Sequence, residues 1–153
     1  MQTTYKIVIA DTSCLILLDK IGELGLLKSL FGSVVTTSVI AGEFGSPLPD
    51  WVEVRIIKDH QFESTLDIDA GEASAIALAF ESEPSLLIID DAKGRKAARK
   101  LGLALTGSLG IFLKAKRAGF IPAVKPILEK IQQTNFRYSE VILQEILALA
   151  DEL

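Results

Sequence analysis

The run Leu86-Leu87-Ile88-Ile89-Asp90-Asp91 sets the fold class of this chain. Four apolar residues without a polar break make a strand with no solvent face, the kind covered on both sides in a parallel sheet. Two acids end it. On its carboxyl side, Ala92 to Leu101 reads as a basic-faced helix closed by Gly102, which supplies the carboxyl-terminal cap. Leu103 to Thr106 is then a short strand and Gly107 to Ala118 a further helix. On its amino side, Ala70 to Phe80 is alanine-rich and apolar nearly all round, a buried helix whose amino end carries Asp69 and Glu72.

The same strand-then-acid pattern opens the chain. Tyr5 to Ala10 is apolar and β-branched, stops at Asp11, and is followed by Thr12 and Ser13 as capping residues for a helix over Cys14 to Leu18. Gly22 and Gly25 punctuate a second helical stretch that ends near Phe31. Val34 to Thr36 is a short strand, and the next helix carries Val39, Ile40, Glu43 and Phe44. Gly45, Pro47 and Pro49 make a loop. Trp51 to Ile57 alternates as an edge strand does, and Asp59 to Asp67 is polar, a loop or short helix containing His60 as a loop residue. Beyond Pro122, two amphipathic helices run over Val124 to Gln133 and Tyr138 to Leu149. In the last, Val141, Ile142, Glu145, Ile146 and Leu149 fall at helical spacing, as core or as a dimer contact.

Short apolar strands alternating with helices predict an α/β fold of three layers, α/β/α, around a mainly parallel sheet of about four to five strands. Right-handed crossovers bring the carboxyl ends of the strands to one edge, where ligands sit in such sheets. The 153 residues suit one domain, 1–153, with a core that needs no disulfide. No apolar run is long enough to span a bilayer, and no leader pattern opens the chain, so the expected location is the cytoplasm. Cys14 stands alone, and one His with one Cys makes no zinc set and no nucleophilic triad. A net charge of −4 argues against binding nucleic acid by bulk charge, but not against a nuclease whose acids are neutralised by the ions they hold.

The residues left at the predicted edge are acids and hydroxyls: Asp11, Asp90 and Asp91, Thr106 and Ser108, with Glu43 and Glu72 on adjoining helices. Singly, each acid has a structural use. Asp11 suits a helix cap, as do Asp90 or Asp91 for the helix at Ala92; Asp69 and Glu72 have capping-box spacing; Glu43 suits a solvated helix face. Together, converging acids without matching cations repel one another and raise their pKa values. A divalent cation removes that conflict and is the usual agent of phosphodiester hydrolysis, since hard cations such as Mg²⁺ take oxygen ligands. Covalent aspartyl-phosphate chemistry fits less well, because Asp11 is followed by Thr-Ser rather than by a second spaced Asp.

At this point the chain resembles the PIN-domain family, small metal-dependent ribonucleases that include many toxins of toxin-antitoxin pairs. Ile7-Val-Ile-Ala-Asp11-Thr-Ser-Cys-Leu-Ile16 resembles its first motif, and Thr36-Thr-Ser-Val-Ile-Ala-Gly-Glu43 its second. Asp69-Ala-Gly-Glu72-Ala-Ser-Ala-Ile-Ala-Leu-Ala79 resembles the third, with Glu where many relatives have Asp. Leu86-Leu-Ile-Ile-Asp-Asp91 resembles the fourth, and Thr106-Gly-Ser-Leu-Gly110 a following hydroxyl-bearing stretch. The combination is similar to a less-characterised prokaryotic branch.

The resemblance implies Asp11, Glu43, Glu72 and Asp91 as catalytic metal ligands for Mg²⁺ or Mn²⁺. It implies Thr12, Ser13, Asp90, Thr106 and Ser108 as supporting residues, with Asp90 and Asp91 alternatives for the fourth ligand; Arg95, one turn past Asp91, is expected beside the site by its position on the helix. It further implies an RNA substrate, a homodimer and an antitoxin partner. Lys93, Arg95, Lys96, Arg99 and Lys100 either hold an RNA backbone or form a solvated helix face. A catalytically silent PIN fold that binds RNA or protein is the alternative reading.

Overall fold

The computed structural model describes residues 5–153. Five strands, β1 (Ile7–Ala10), β2 (Val34–Thr37), β3 (Val52–Arg55), β4 (Ser85–Ile88) and β5 (Ala104–Thr106), form one sheet in the order β3-β2-β1-β4-β5. Every pairing is parallel, so the expected mainly parallel sheet is wholly so. All four residues of β2 and of β4 are buried, which requires cover on both faces and accounts for the lack of alternation in Leu86 to Ile89.

Nine helices are present among the described residues: α1 (Thr12–Lys20), α2 (Gly25–Phe31), α3 (Ser38–Phe44), α4 (His60–Ser64), α5 (Ala70–Glu81), α6 (Ala92–Lys100), α7 (Ser108–Arg117), α8 (Lys125–Gln132) and α9 (Glu140–Leu149). α5 lies across β1, β2 and β4 and against α6, while α2 packs on α7 and α7 on α9. The core is built from side chains such as Ile9, Leu15, Leu18, Ile76, Leu87 and Phe112, all fully buried. None of these helices is long and apolar enough to cross a membrane.

Chain order reverses at the middle of the sheet. From β1 the chain steps outward through β2 to β3, then returns over α5 to β4 on the other side of β1 and continues to β5. The carboxyl ends of β1 and β4 therefore flank the switch point, where diverging connections leave a crevice. Asp11, Asp90 and Asp91 emerge there.

Three details differ from expectation. The segment after β3 folds into the short helix α4 because Asp59 accepts a hydrogen bond from the Phe62 amide, so His60 opens a helix rather than lying in a loop. Phe80, at the end of the buried helix α5, is half exposed and stacks on Phe62 of α4 with ring centroids 4.9 Å apart. In α9 only Ile146 of the apolar stripe is buried; Val141, Ile142 and Leu149 face outward, which removes the core alternative for these three and leaves the dimer contact untested. Gly102 behaves as read: with φ +73 it lets its own amide reach Arg99 O and the Leu103 amide reach Ala98 O, closing α6.

Candidate active site

Asp11 is the floor of the crevice. It follows β1, its amide bonds Ile88 O across to β4 at 3.1 Å, and it is only 2% exposed. The buried Thr36 hydroxyl donates to Ala10 O at 2.9 Å and pins the strand end just before it. Asp11 occupies the cap position of α1 yet makes no side-chain capping bond, and its Oδ1 has no hydrogen-bond partner among the described residues. Its structural reading as a helix cap is thereby weakened. Burial pushes its carboxyl from 3.8 up to about 7; the Thr12 amide offsets part of this, and the charges of Asp69, Glu43 and Asp90 add to it.

Glu43 stands at the exposed rim. Thr37 caps α3 by accepting from the Ile40 amide, and its hydroxyl meets Ser74 Oγ at 2.7 Å. Ser74 in turn reaches Gly71 O at 2.7 Å, so α3 and α5 are joined by buried hydroxyls that set the spacing of Glu43 and Glu72. The Thr12 hydroxyl donates to Glu43 Oε1 at 2.6 Å, orienting that carboxylate toward the end of β1.

Glu72 does not reach back as a capping-box residue. Asp69 alone caps α5, accepting from the Gly71 amide at 3.4 Å, while the Glu72 carboxylate lies against Gly94 of α6. Burial, the Asp91 charge and then Asp11 and Asp69 push Glu72 from 4.5 up to about 8, and Asp91 is within hydrogen-bonding reach of its protonated form.

Asp90 and Asp91 divide their roles. Both oxygens of Asp90 are taken by Ser108, Oδ1 by its amide at 2.7 Å and Oδ2 by its hydroxyl at 2.6 Å, clamping the end of β4 to the start of α7. Asp91 caps α6, with Oδ2 accepting from the Lys93 and Gly94 amides at 3.0 and 3.1 Å, and is exposed on its other side. Arg95 is half-buried and donates from Nη1 to Ile89 O at 2.9 Å. Thr106 lies over Gly110, and Ser13 sits half-buried in the first turn of α1.

Three glycines were not singled out by the sequence reading as site residues, and each makes room for one acid. A Cβ at Gly71 would overlap Glu43 Oε1. At Gly94 it would lie 2.7 Å from Glu72 Oε2, and at Gly107 2.9 Å from Asp90 Oδ1. The signal was available: Gly71 and Gly94 lie inside helical first turns, where Ala is the better helix former and Gly needs another reason. Sequence alone assigns Asp69 only a capping role, but its charge also acts on both Asp11 and Glu72.

The structure thus brings Asp11, Glu43, Glu72, Asp90 and Asp91 to one crevice. It does not draw them into a closed ligand shell: among the described residues, no three acidic, His or Cys side chains converge closely enough to enclose a metal ion. The donor chemistry nonetheless fits a hard divalent cation, being oxygen only and arranged about a buried carboxylate oxygen that lacks a partner.

A family model described as a PIN domain matches residues 7–152. No curated protein and no solved structure matches the chain. The matched span runs from the first residue of β1 to the Glu152 that follows α9, taking in the whole parallel sheet and every acid of the crevice. The chain belongs to the PIN-domain family, whose fold is of the nuclease type.

Proposed function

We propose that this protein is a ribonuclease that hydrolyses RNA phosphodiester bonds with Mg²⁺ or Mn²⁺ held by Asp11, Glu43, Glu72 and Asp91. The observation that carries the reading is Asp11: a buried carboxylate with an unpartnered oxygen, raised to about 7 by burial and by the charges of Asp69, Glu43 and Asp90, while the Arg95 guanidinium on the wall is engaged by Ile89 O. An arrangement that leaves such repulsion uncompensated is explained by a cation.

A divalent cation bound there supplies electrostatic stabilisation of the phosphate undergoing substitution. The chain's own groups do the rest. Thr12 keeps Glu43 turned toward Asp11, Ser108 withdraws Asp90 from the ligand set and fixes the wall of the crevice, and Asp91 keeps one oxygen free of the α6 amides. Because Asp11 and Glu72 retain protons near neutral pH, cation binding is coupled to their deprotonation and strengthens as pH rises. The proposal extends to the toxin half of a toxin-antitoxin pair, with self-pairing and an antitoxin as partners. A neighbouring reading frame for a DNA-binding antitoxin, and the mass of the purified protein in solution, bear on those parts.

The test is cleavage of a labelled mixed RNA pool with Mn²⁺, with Mg²⁺ and with EDTA, beside Asp11→Asn. Cutting that needs the cation and disappears in the variant is the expected result. A second reading, a catalytically silent PIN fold that binds RNA or protein, is favoured by the open arrangement of the acids and by the engagement of Asp90 and of one Asp91 oxygen. Absence of cutting at large enzyme excess, with cation binding demonstrated separately, selects it.

A further inference from the structure

The chain carries 16 Lys and Arg against 20 Asp and Glu, but they are not mixed evenly. From Ala92 to Leu128 there are nine Lys and Arg and no acid at all. The start of this stretch is α6, whose first turn is tied directly to the crevice by the Asp91 cap. Lys93, Lys96, Arg99 and Lys100 are exposed on it, and among the described residues none lies in an ion pair. Arg95 is different in kind: half-buried and bonded to Ile89 O, it belongs to the wall of the crevice.

Lys93, Lys96 and Lys100 are spaced three and four apart, which sets them above one another on a single helix face. At 1.5 Å per residue the stripe is about 10 Å long. Its Lys93 end adjoins the acids and its Lys100 end points away from them. A crevice made of carboxylates repels a polyanion, so a substrate with a phosphate backbone needs a counter-charge beside it. Together with Arg99, this stripe is an exposed cationic surface on the helix tied to the crevice, unpaired among the described residues.

We propose that Lys93, Lys96 and Lys100 form a phosphate track that leads one strand of RNA along α6 into the carboxylate crevice. The inference rests on the reading of RNA as the molecule that enters the crevice. A narrow stripe on one helix, flanked only by Arg99 on α6, matches the single line of phosphates of an unpaired strand. A duplex would lay its second strand off the stripe, and outside residues 92–128 the chain has seven basic residues against all 20 of its acids. Contacts of this kind fix the path and register of the strand and carry no base preference.

The experiment is binding of a dye-labelled single-stranded oligoribonucleotide, followed by anisotropy in EDTA across a salt series so that cleavage plays no part. Wild type is compared with Lys93→Ala/Lys96→Ala/Lys100→Ala and with Lys114→Ala/Arg117→Ala/Lys125→Ala, which removes the same charge from exposed positions elsewhere. At about 0.7 released ions per single-strand phosphate, the track variant should flatten the slope of log K against log salt by about 2 and bind about 100-fold more weakly at 0.1 M salt. The control variant should lose far less. Alanine favours an exposed helix, so folding is retained, and Lys93→Glu alone provides a second variant with the same direction of effect.

Equal losses in the two triple variants, or no loss in either, overturn the track. A blunt RNA duplex that binds as tightly as the single strand and is weakened as much by the track variant overturns the single-strand assignment. Cation-dependent cutting by wild type with an unchanged KM in the track variant removes the track and leaves the nuclease standing. Track-dependent binding with no cutting under any cation leaves the track and removes the nuclease.

Discussion

Asp11 is more informative than any other single residue because its environment is unfavourable to its own charge. Its carboxyl is held up at about 7 first by burial and then by Asp69, Glu43 and Asp90, whereas in the unfolded chain it titrates near 3.8. The folded protein therefore keeps this proton to a higher pH than the unfolded chain does. Across the window from about 4 to about 7, unfolding releases the proton, so stability falls as pH rises and the full loss is reached above the folded value. At 1.36 kcal/mol per pH unit the loss is at most about 4 kcal/mol, its coulombic part being weakened by solvent. Glu72, raised to about 8, acts in the same direction over a window that ends higher. In EDTA, Asp11→Asn should melt close to wild type near pH 4 and progressively above it toward pH 8. Adding Mg²⁺ at pH 8 should raise the wild-type melting temperature more than that of the variant. A melting difference that does not change with pH would sink this account of the crevice.

At the level of elements, β1, β4 and the helices that follow them were readable because their patterns are local. An apolar run that stops at an acid gives a buried strand with a polar residue at its carboxyl end, and parallel topology carries such residues to one edge. Thus Asp11, Asp90 and Asp91 could be placed from sequence. The division of labour between Asp90 and Asp91 could not, because it depends on where Ser108 of α7 arrives against β4, and that is set by packing far along the chain. For α4 the sequence leaves loop and short helix open, because five residues show too little periodicity to choose between them. Gly71 and Gly107 stand inside motifs and Gly94 inside a helix with no purpose legible for any of them, since close approach between elements has no local signature. Gly94→Ala tests that purpose. Helix propensity alone would favour Ala by up to about 1 kcal/mol. The new Cβ, however, would stand 2.7 Å from Ile89 Cδ1 and 2.7 Å from Glu72 Oε2, and Ile89 is fully buried and cannot yield easily. Overpacking of this kind costs about 1–3 kcal/mol, so Gly94→Ala should be destabilised in chemical denaturation. Gly42→Ala in α3, where a Cβ meets nothing within 4 Å, should instead gain stability. Equal gains in both would show that α5 and α6 have slack at Glu72.

The whole molecule is closed by a residue far in sequence from the crevice. Glu152, after α9, accepts from the Val124 and Lys125 amides at 2.7 and 2.9 Å and from Lys116 Nζ at 3.0 Å, while Lys116 also reaches Ala150 O. It thereby satisfies the open amides at the start of α8 and ties α7, α8 and the end of α9 together. α7 begins at Ser108, the partner of Asp90, so this lock also steadies the wall of the crevice. Burial alone would raise the Glu152 carboxyl, but the two amides and the Lys116 ammonium outweigh it and hold it below 4.5. A depressed carboxyl stabilises the fold when ionised: the contribution is complete above the unfolded value of 4.5 and is lost as pH falls through the lowered folded value. Charge-assisted bonds of this type contribute about 2 kcal/mol together, which for a chain of this size is a melting shift of about 4–8 °C. Glu152→Ala should therefore melt lower than wild type by a constant interval from pH 6 to pH 8, and the interval should narrow on acidification below 4.5. Glu152→Gln should lie between the two, keeping an acceptor oxygen while losing the charge. If Glu152→Ala melts with wild type throughout, α8 and α9 are held by their apolar faces alone, and the clamp between Asp90 and Ser108 must stand without support from this side of the molecule.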